Sequence, residues 1–147
     1  PVSAFANIRH AAKPGASLSM ISWRRIEENP FMTVAERAAA SYLPDLPKRS
    51  GGPGQFAFAD QDHVHDILGA AGWTDVSSEA LDMSCAFPAS VLDTYLSLMG
   101  PVGQILAKSD NATRERVLSA IRNGFNEYVS GTDIQFNAAC WLTRATA

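Results

Sequence analysis

The stretch Phe5-Ala6-Asn7-Ile8-Arg9-His10-Ala11-Ala12-Lys13-Pro14-Gly15-Ala16-Ser17-Leu18-Ser19-Met20-Ile21-Ser22-Trp23 changes period at its centre. Before Lys13, the apolar residues Phe5, Ile8 and Ala12 recur at i, i+3 and i+7. That spacing predicts a helix over 3–12, with Ser3 able to cap it. Pro14 cannot continue a helical ladder and Gly15 accepts a left-handed turn, so Lys13-Pro14-Gly15 stops the helix. Residues 16–23 then alternate small polar with apolar side chains, the period of a strand. A helix that closes in Pro-Gly and feeds a strand is an αβ unit, which sets the fold class as α/β.

A second such unit lies further on. Asp60 can cap a helix with Val64, Ile67, Leu68 and Ala71 along one face, and Gly72 can close it. Residues 73–83 read as a strand, with Val76 and Leu81 as its clearest apolar members. Residues 89–107 read as a helix that Gly100-Pro101 must break or kink. Asp110 or Asn111 caps another helix, with Val117, Leu118, Ile121, Phe125 and Tyr128 inward. In the final strand, Ile134, Phe136, Ala138, Cys140 and Leu142 alternate with Gln135, Asn137, Ala139 and Trp141. Between the two αβ units, a short helix is expected at 32–42 and a Pro- and Gly-dense loop at 44–54. A loop of that length inside a domain is usually a functional lid or a mobile segment. The plan is therefore a single partial domain over 1–147, with a lid-like insertion at 24–59 and a helical insertion at 84–131. It begins on a helix, where an α/β protein of this kind begins on a strand.

The composition narrows the function classes. The 147 residues carry 12 Lys+Arg against 15 Asp+Glu, a net charge of −3, which argues against nucleic acid or an anionic membrane surface as partner. Hydrophobic residues at 46% exclude intrinsic disorder. Charged residues are only 18%, below the usual ~25%, as for a chain with surface covered by something else. No apolar run approaches the ~20 residues that span a bilayer, and no signal peptide is visible, so a cytoplasmic location is expected. Cys85 and Cys140 form no CxxC and no zinc spacing, and read as reduced, largely buried thiols.

Several chemical motifs are missing. Gly51-Gly52-Pro53-Gly54 does not stand at a strand-to-helix turn, and Pro53 lacks the N–H that a phosphate cradle needs. There is no GxSxG elbow. His63 and His65 would point to opposite sides of a helix, and His10 is remote, so no metal is expected. Glu27 and Glu28 read as a solvated loop pair, and Asp110, Arg114, Glu115, Arg116 and Arg122 as a solvated helix face. The informative feature is aromatic. Trp23 ends a strand, where open α/β sheets place their ligand crevice, and Asn29-Pro30-Phe31-Met32 and Phe56-Ala57-Phe58 follow. Aromatics and Met at a crevice suit a small apolar substrate; the alternative is that they cover the sheet.

The motif order resembles one family. Residues 5–15 are similar to the helix and "L-K/R-P-G-G" turn before the fifth strand of class I S-adenosylmethionine-dependent methyltransferases. Met20-Ile21-Ser22-Trp23 and Glu28-Asn29-Pro30-Phe31-Met32 resemble the strand and loop of the small-molecule, ubiquinone/menaquinone-biosynthesis-like branch. Phe56-Ala57-Phe58-Ala59-Asp60, Ala70-Ala71-Gly72-Trp73-Thr74-Asp75-Val76 and Ala138-Ala139-Cys140-Trp141-Leu142 resemble its following helix, sixth strand and last strand. Ala12 and Ala16 depart from the turn's usual Leu and second Gly.

The resemblance covers the family's C-terminal half only. It implies a Rossmann-like portion with a three-stranded mixed sheet in the family order 5-7-6, packed with four to five helices. It implies an acceptor side lined by Trp23, Asn29, Phe31, Met32, Phe56 and Phe58, with a small-molecule methyl acceptor as partner. S-adenosylmethionine would be the cofactor of the complete enzyme. None is expected to bind this chain alone, since the Gly-rich loop and acid that hold it belong to the other half. Catalysis would be by positioning, with no general base named. Two other readings stay open. One is a non-catalytic assembly module that pairs through the edge strand 17–23, with itself or with another chain. The other is a freestanding small-ligand binder whose 24–59 insertion closes a pocket.

Overall fold

The computed structural model of the protein describes residues 1–47, 54–98 and 100–147. Val2–Ala11 forms α1, Gly15 turns the chain at φ 77°, and Ser17–Trp23 forms β1. Pro1 rather than Ser3 occupies the cap position of α1, without a side-chain cap bond. After two 3₁₀ turns come α2 (Val34–Ala39), α3 (Gln61–Ala70) and β2 (Thr74–Pro88). Then follow α4 (Leu92–Leu98), α5 (Gly100–Leu106), α6 (Asn111–Phe125), β3 (Val129–Ser130) and β4 (Asp133–Thr146). The expected Gly51–Gly54 cluster falls largely outside the described residues, as does most of the 44–54 loop beyond Pro47.

The chain is α/β, with β4 between β1 and β2 in an open sheet. Two features of the expected sheet are corrected. It has four strands rather than three, because Gly131 at φ 62° lets Val129–Ser130 fold back on the start of β4. It is also antiparallel rather than mixed, because the last strand runs back between the other two and leaves no parallel neighbours. The helices are likewise six rather than four to five among the described residues, because 92–106 divides into α4 and α5.

Two compact units share the chain: Pro1–Glu28, Gly52–Met83 and Ala138–Ala147 form the first, and Asn29–Gly51 and Ser84–Asn137 the second. In the first, β1 pairs with β4 from Ser17↔Thr146 to Trp23↔Cys140. Directly opposed residues share a face, so Leu18, Met20 and Ser22 stand with Ala145, Thr143 and Trp141. On that face lies a core of Val64, Leu68, Ala71, Trp73 and Ala145, with Phe5, Ala6, Ala12, Leu18, Met20, Phe58 and Val76 packed against it. Each fully buried aliphatic side chain here contributes about 1.5–3 kcal/mol by leaving water. α3 begins as its sequence predicts: the Asp60 carboxylate accepts from the backbone N–H groups of Asp62 and His63. Gly72 follows it at φ 86°, and the Trp73 indole N–H donates to the Phe5 carbonyl. α1 is less embedded than its pattern suggests, for Ile8 is 49% exposed.

The second unit is built on helices. Val34, Ala39, Leu43, Leu92, Leu96, Val102, Leu106, Val117, Ile121, Phe125 and Ile134 form its core. α6 supplies the expected row of Val117, Ile121 and Phe125, and the Asp110 carboxylate caps it by accepting from the Thr113 N–H. Gly124 permits a close approach of α2: a Cβ there would stand 3.1 Å from Val34 Cγ1.

Candidate functional site

In the first unit, charged and aromatic side chains gather where β1 ends. Arg24 continues the ladder by donating its backbone N–H to Ala139. Its guanidinium lies over Trp141, with Cζ 5.2 Å from the ring centroid. Two carboxylates hold it there. Nε donates to Glu28 Oε1 at 2.9 Å, with Nη2 on the same oxygen, and Nη1 donates to Asp82 Oδ1 at 3.1 Å. Glu28 is fixed in turn, since Oε2 accepts the Arg25 backbone N–H at 3.1 Å. The hydrogen bond from Arg24 holds the Glu28 carboxyl below the usual carboxylate range, and Glu28 raises the Arg24 guanidinium further above its ordinary value. The two carboxylates commit the Arg24 guanidinium to partners of its own.

The loop carrying Phe56 and Phe58 is pinned to the strands beside this cluster. Ser22 Oγ donates to the Phe58 carbonyl at 3.2 Å, and Trp141 Nε1 donates to the Ala59 carbonyl at 3.0 Å. The Phe58 ring meets Phe5 edge-on, with centroids 6.0 Å apart. Of the six residues expected at an acceptor site, Trp23, Phe56 and Phe58 therefore belong to this unit, each half-buried. Asn29, Phe31 and Met32 belong to the second. There Asn29 is buried, Met32 is half-buried, and Phe31 stacks on Phe136 at 3.9 Å between centroids. The stack covers one face of the Phe31 ring, and the residue is buried.

Two groups were missed by the sequence reading. Arg24 stands four residues before Glu28, a spacing that could have paired them, but the neighbouring Glu27 disguised it as a bare acidic pair. The second is a relay: His65 Nε2 lies 3.0 Å from Ser78 Oγ, which lies 2.8 Å from Thr143 Oγ1. It joins α3, β2 and β4 through three residues far apart in sequence, so no local pattern announces it. The helix face at 110–122 is also less bare than expected: Arg114 donates to the Leu106 carbonyl, and Arg122 pairs with both oxygens of Asp93. Arg122 draws the Asp93 carboxyl below its usual range.

Among the described residues no group of three His, Cys, Asp or Glu side chains could hold a metal, and no helix is long and apolar enough to cross a membrane. Cys85 and Cys140 are not joined in a disulfide; Cys140 is buried and Cys85 half-buried. The helix N-termini of α3 and α6 are occupied by the Asp60 and Asp110 carboxylates. The second unit carries an open groove of about 530 Å³ lined by Tyr42, Arg116, Ser119 and Asn123 among others, and none of the six expected residues borders it. No protein-family model and no curated protein matches the chain.

Proposed function

We propose that the chain is a portion of an S-adenosylmethionine-dependent methyltransferase acting on a small molecule. The observation that carries this reading is the strand order β1-β4-β2, with the last strand in sequence lying between the other two. Together with the Lys13-Pro14-Gly15 turn into β1, it corresponds to the order of the family's last three strands. On this reading Trp23, Phe56 and Phe58 supply an apolar wall for the methyl acceptor, and the Ser22 and Trp141 hydrogen bonds hold that wall in place. Arg24, already neutralised by Glu28 and Asp82, keeps Trp141 oriented rather than binding an anion.

The residues present do not suit the cofactor. The helix starts that could receive a carboxylate carry Asp60 and Asp110, and no Gly-rich loop stands at a strand-to-helix turn among the described residues. These side chains hold and orient an acceptor and exclude water around it. The test is calorimetry with S-adenosylmethionine, alongside methyl transfer from labelled cofactor to organic-extractable small molecules. The 147-residue chain binds no cofactor, whereas the polypeptide at its natural length binds it and transfers label. Trp23→Ala at natural length lowers transfer at least tenfold while leaving cofactor binding intact. Micromolar binding to the 147-residue chain, or a natural-length protein that neither binds nor transfers, overturns the reading.

A further inference from the structure

The His65–Ser78–Thr143 relay has a direction. Thr143 is 0% exposed, and among the described residues its hydroxyl meets only Ser78 Oγ, at 2.8 Å. Each hydroxyl has one proton to give. If Ser78 gave its proton to Thr143, the Thr143 proton would be left without an acceptor in the core, and leaving a buried bond unmade is costly. Thr143 therefore donates to Ser78, and Ser78 donates to its other neighbour, His65 Nε2 at 3.0 Å. Nε2 is then the bare nitrogen of a neutral imidazole, whose own proton sits on Nδ1. The Ser78 oxygen thus has its proton aimed at a base and a second hydroxyl donating to it.

Regular elements of the first unit hold this geometry. His65 lies on α3 directly after the buried Val64, Ser78 lies within β2, and Thr143 lies in β4 opposite Met20. Groups carried on helices and strands are placed more precisely than groups on loops. β2 stands at the end of the strand order, and His65 and Ser78 are each half-buried. Solvent therefore reaches the hydroxyl–imidazole pair and not the threonine behind it. A serine is by itself a weak nucleophile, and an imidazole within hydrogen-bond reach is the common means of activating it.

We propose that Ser78 is an acyl-accepting nucleophile, with His65 as its base, toward activated carboxylic esters. Ser78 Oγ attacks the ester carbonyl carbon while its proton passes to His65 Nε2. The bond from that carbon to the alcohol oxygen breaks, and the leaving oxygen takes the proton from His65. Water then attacks the acyl–Ser78 ester and gives a proton to the same nitrogen. The acid departs, and Ser78 recovers its hydroxyl proton from His65. Thr143 is a positioning residue: its hydroxyl stays on the Ser78 oxygen and keeps the Ser78 proton directed at the imidazole. This chemistry uses no methyl donor and is independent of the methyl-transfer reading.

Two probes test it on the 147-residue chain: p-nitrophenyl acetate and, separately, an alkyl fluorophosphonate. With the second, Ser78 Oγ bonds to phosphorus, its proton passes to His65 and fluoride leaves. Nitrophenol is released in a stoichiometric burst, and peptide mass mapping finds either label on Ser78 and not on the adjacent Ser77. His65→Gln keeps an amide beside Ser78 but supplies no base. It slows labelling by at least about a hundredfold, the scale of general-base assistance, with the far-UV spectrum unchanged. Thr143→Val leaves the Ser78–His65 pair in place and labels at a rate of the same order as the parent. Ser78→Ala takes no label at this position; if it fails to fold, His65→Gln carries the test alone. A chain that neither probe labels overturns the inference. So does a label spread over lysines and the N-terminus, or one on Ser78 that is indifferent to His65→Gln.

Discussion

Ser78 and Thr143 give the sharpest test of the packing argument. Thr143 is 0% exposed, and among the described residues its hydroxyl has one partner, Ser78 Oγ at 2.8 Å. Ser78 also meets His65 at 3.0 Å. Ser78→Ala removes two hydrogen bonds and leaves the buried Thr143 hydroxyl without its Ser78 partner. A net hydrogen bond is worth about 1 kcal/mol and a stranded buried group costs about 1–3 kcal/mol, so the expected loss is about 2–3 kcal/mol. Thr143→Val removes the buried hydroxyl itself and leaves Ser78 bonded to His65, so its cost is about 1 kcal/mol or less. The double variant strands nothing. It should be about 1 kcal/mol more stable than Ser78→Ala alone, a departure from additivity that only residues in contact show. Urea unfolding followed by tryptophan fluorescence reads this directly, because Trp23, Trp73 and Trp141 all lie in the first unit. With a typical slope of about 2 kcal/mol per molar urea, Ser78→Ala shifts the midpoint down by about 1 M. A double variant as damaged as the sum of the two singles would refute the reasoning, since the Thr143 hydroxyl would then not be stranded.

The remaining predictions concern charge, packing and a close approach. Because Arg24 depresses the Glu28 carboxyl, its contribution is present above the ordinary carboxylate value near 4.3 and is lost as pH falls through the lowered folded value. Glu28→Gln should therefore cost about 0.5 kcal/mol at neutral pH, the scale of a largely solvent-screened pair, with the difference from the parent closing in acid. Matched thermal melts at neutral and acid pH would show it, and a gap that widens in acid would reverse the sign. Ile121→Ala, at 0% exposure in the second unit's core, should cost about 2–5 kcal/mol in urea unfolding followed by far-UV circular dichroism. Gly124→Leu should cost about 1–3 kcal/mol in the same measurement, because its Cβ would crowd Val34 Cγ1 at 3.1 Å.

What the sequence disclosed follows the range of the forces involved. The Asp60 cap, the Val64, Ile67, Leu68 and Ala71 face, the Gly72 turn and the Asp110 cap are local, and each lies where its spacing predicts. β1 and β4 alternate clearly enough to be read as strands, yet nothing local shows that Gly131 would add a fourth strand. The candidate site was legible only in part. Trp23, Phe56 and Phe58 do belong to one unit, but Phe31 spends its face on Phe136, a partner more than a hundred residues away. Ile8 shows the converse limit: its periodic position promised burial, and the tertiary arrangement left it half in water. The His65–Ser78–Thr143 relay was illegible because polar residues of this kind carry no period.

The register Ser17↔Thr146 also dictates when this sheet can exist. A ribosome delivers β1 first and the residues that hydrogen-bond to it only after more than a hundred others. Until residues 140–146 emerge, β1 lacks the partner it pairs with along its whole length, and Leu18 and Met20 lack Ala145 beside them. Such high sequence separation slows closure and lengthens exposure of an uncharged strand. The nascent chain is therefore most vulnerable between the emergence of β1 and that of β4, and that is the interval in which a chaperone that grips short apolar stretches would find its binding site at Leu18-Ser19-Met20-Ile21.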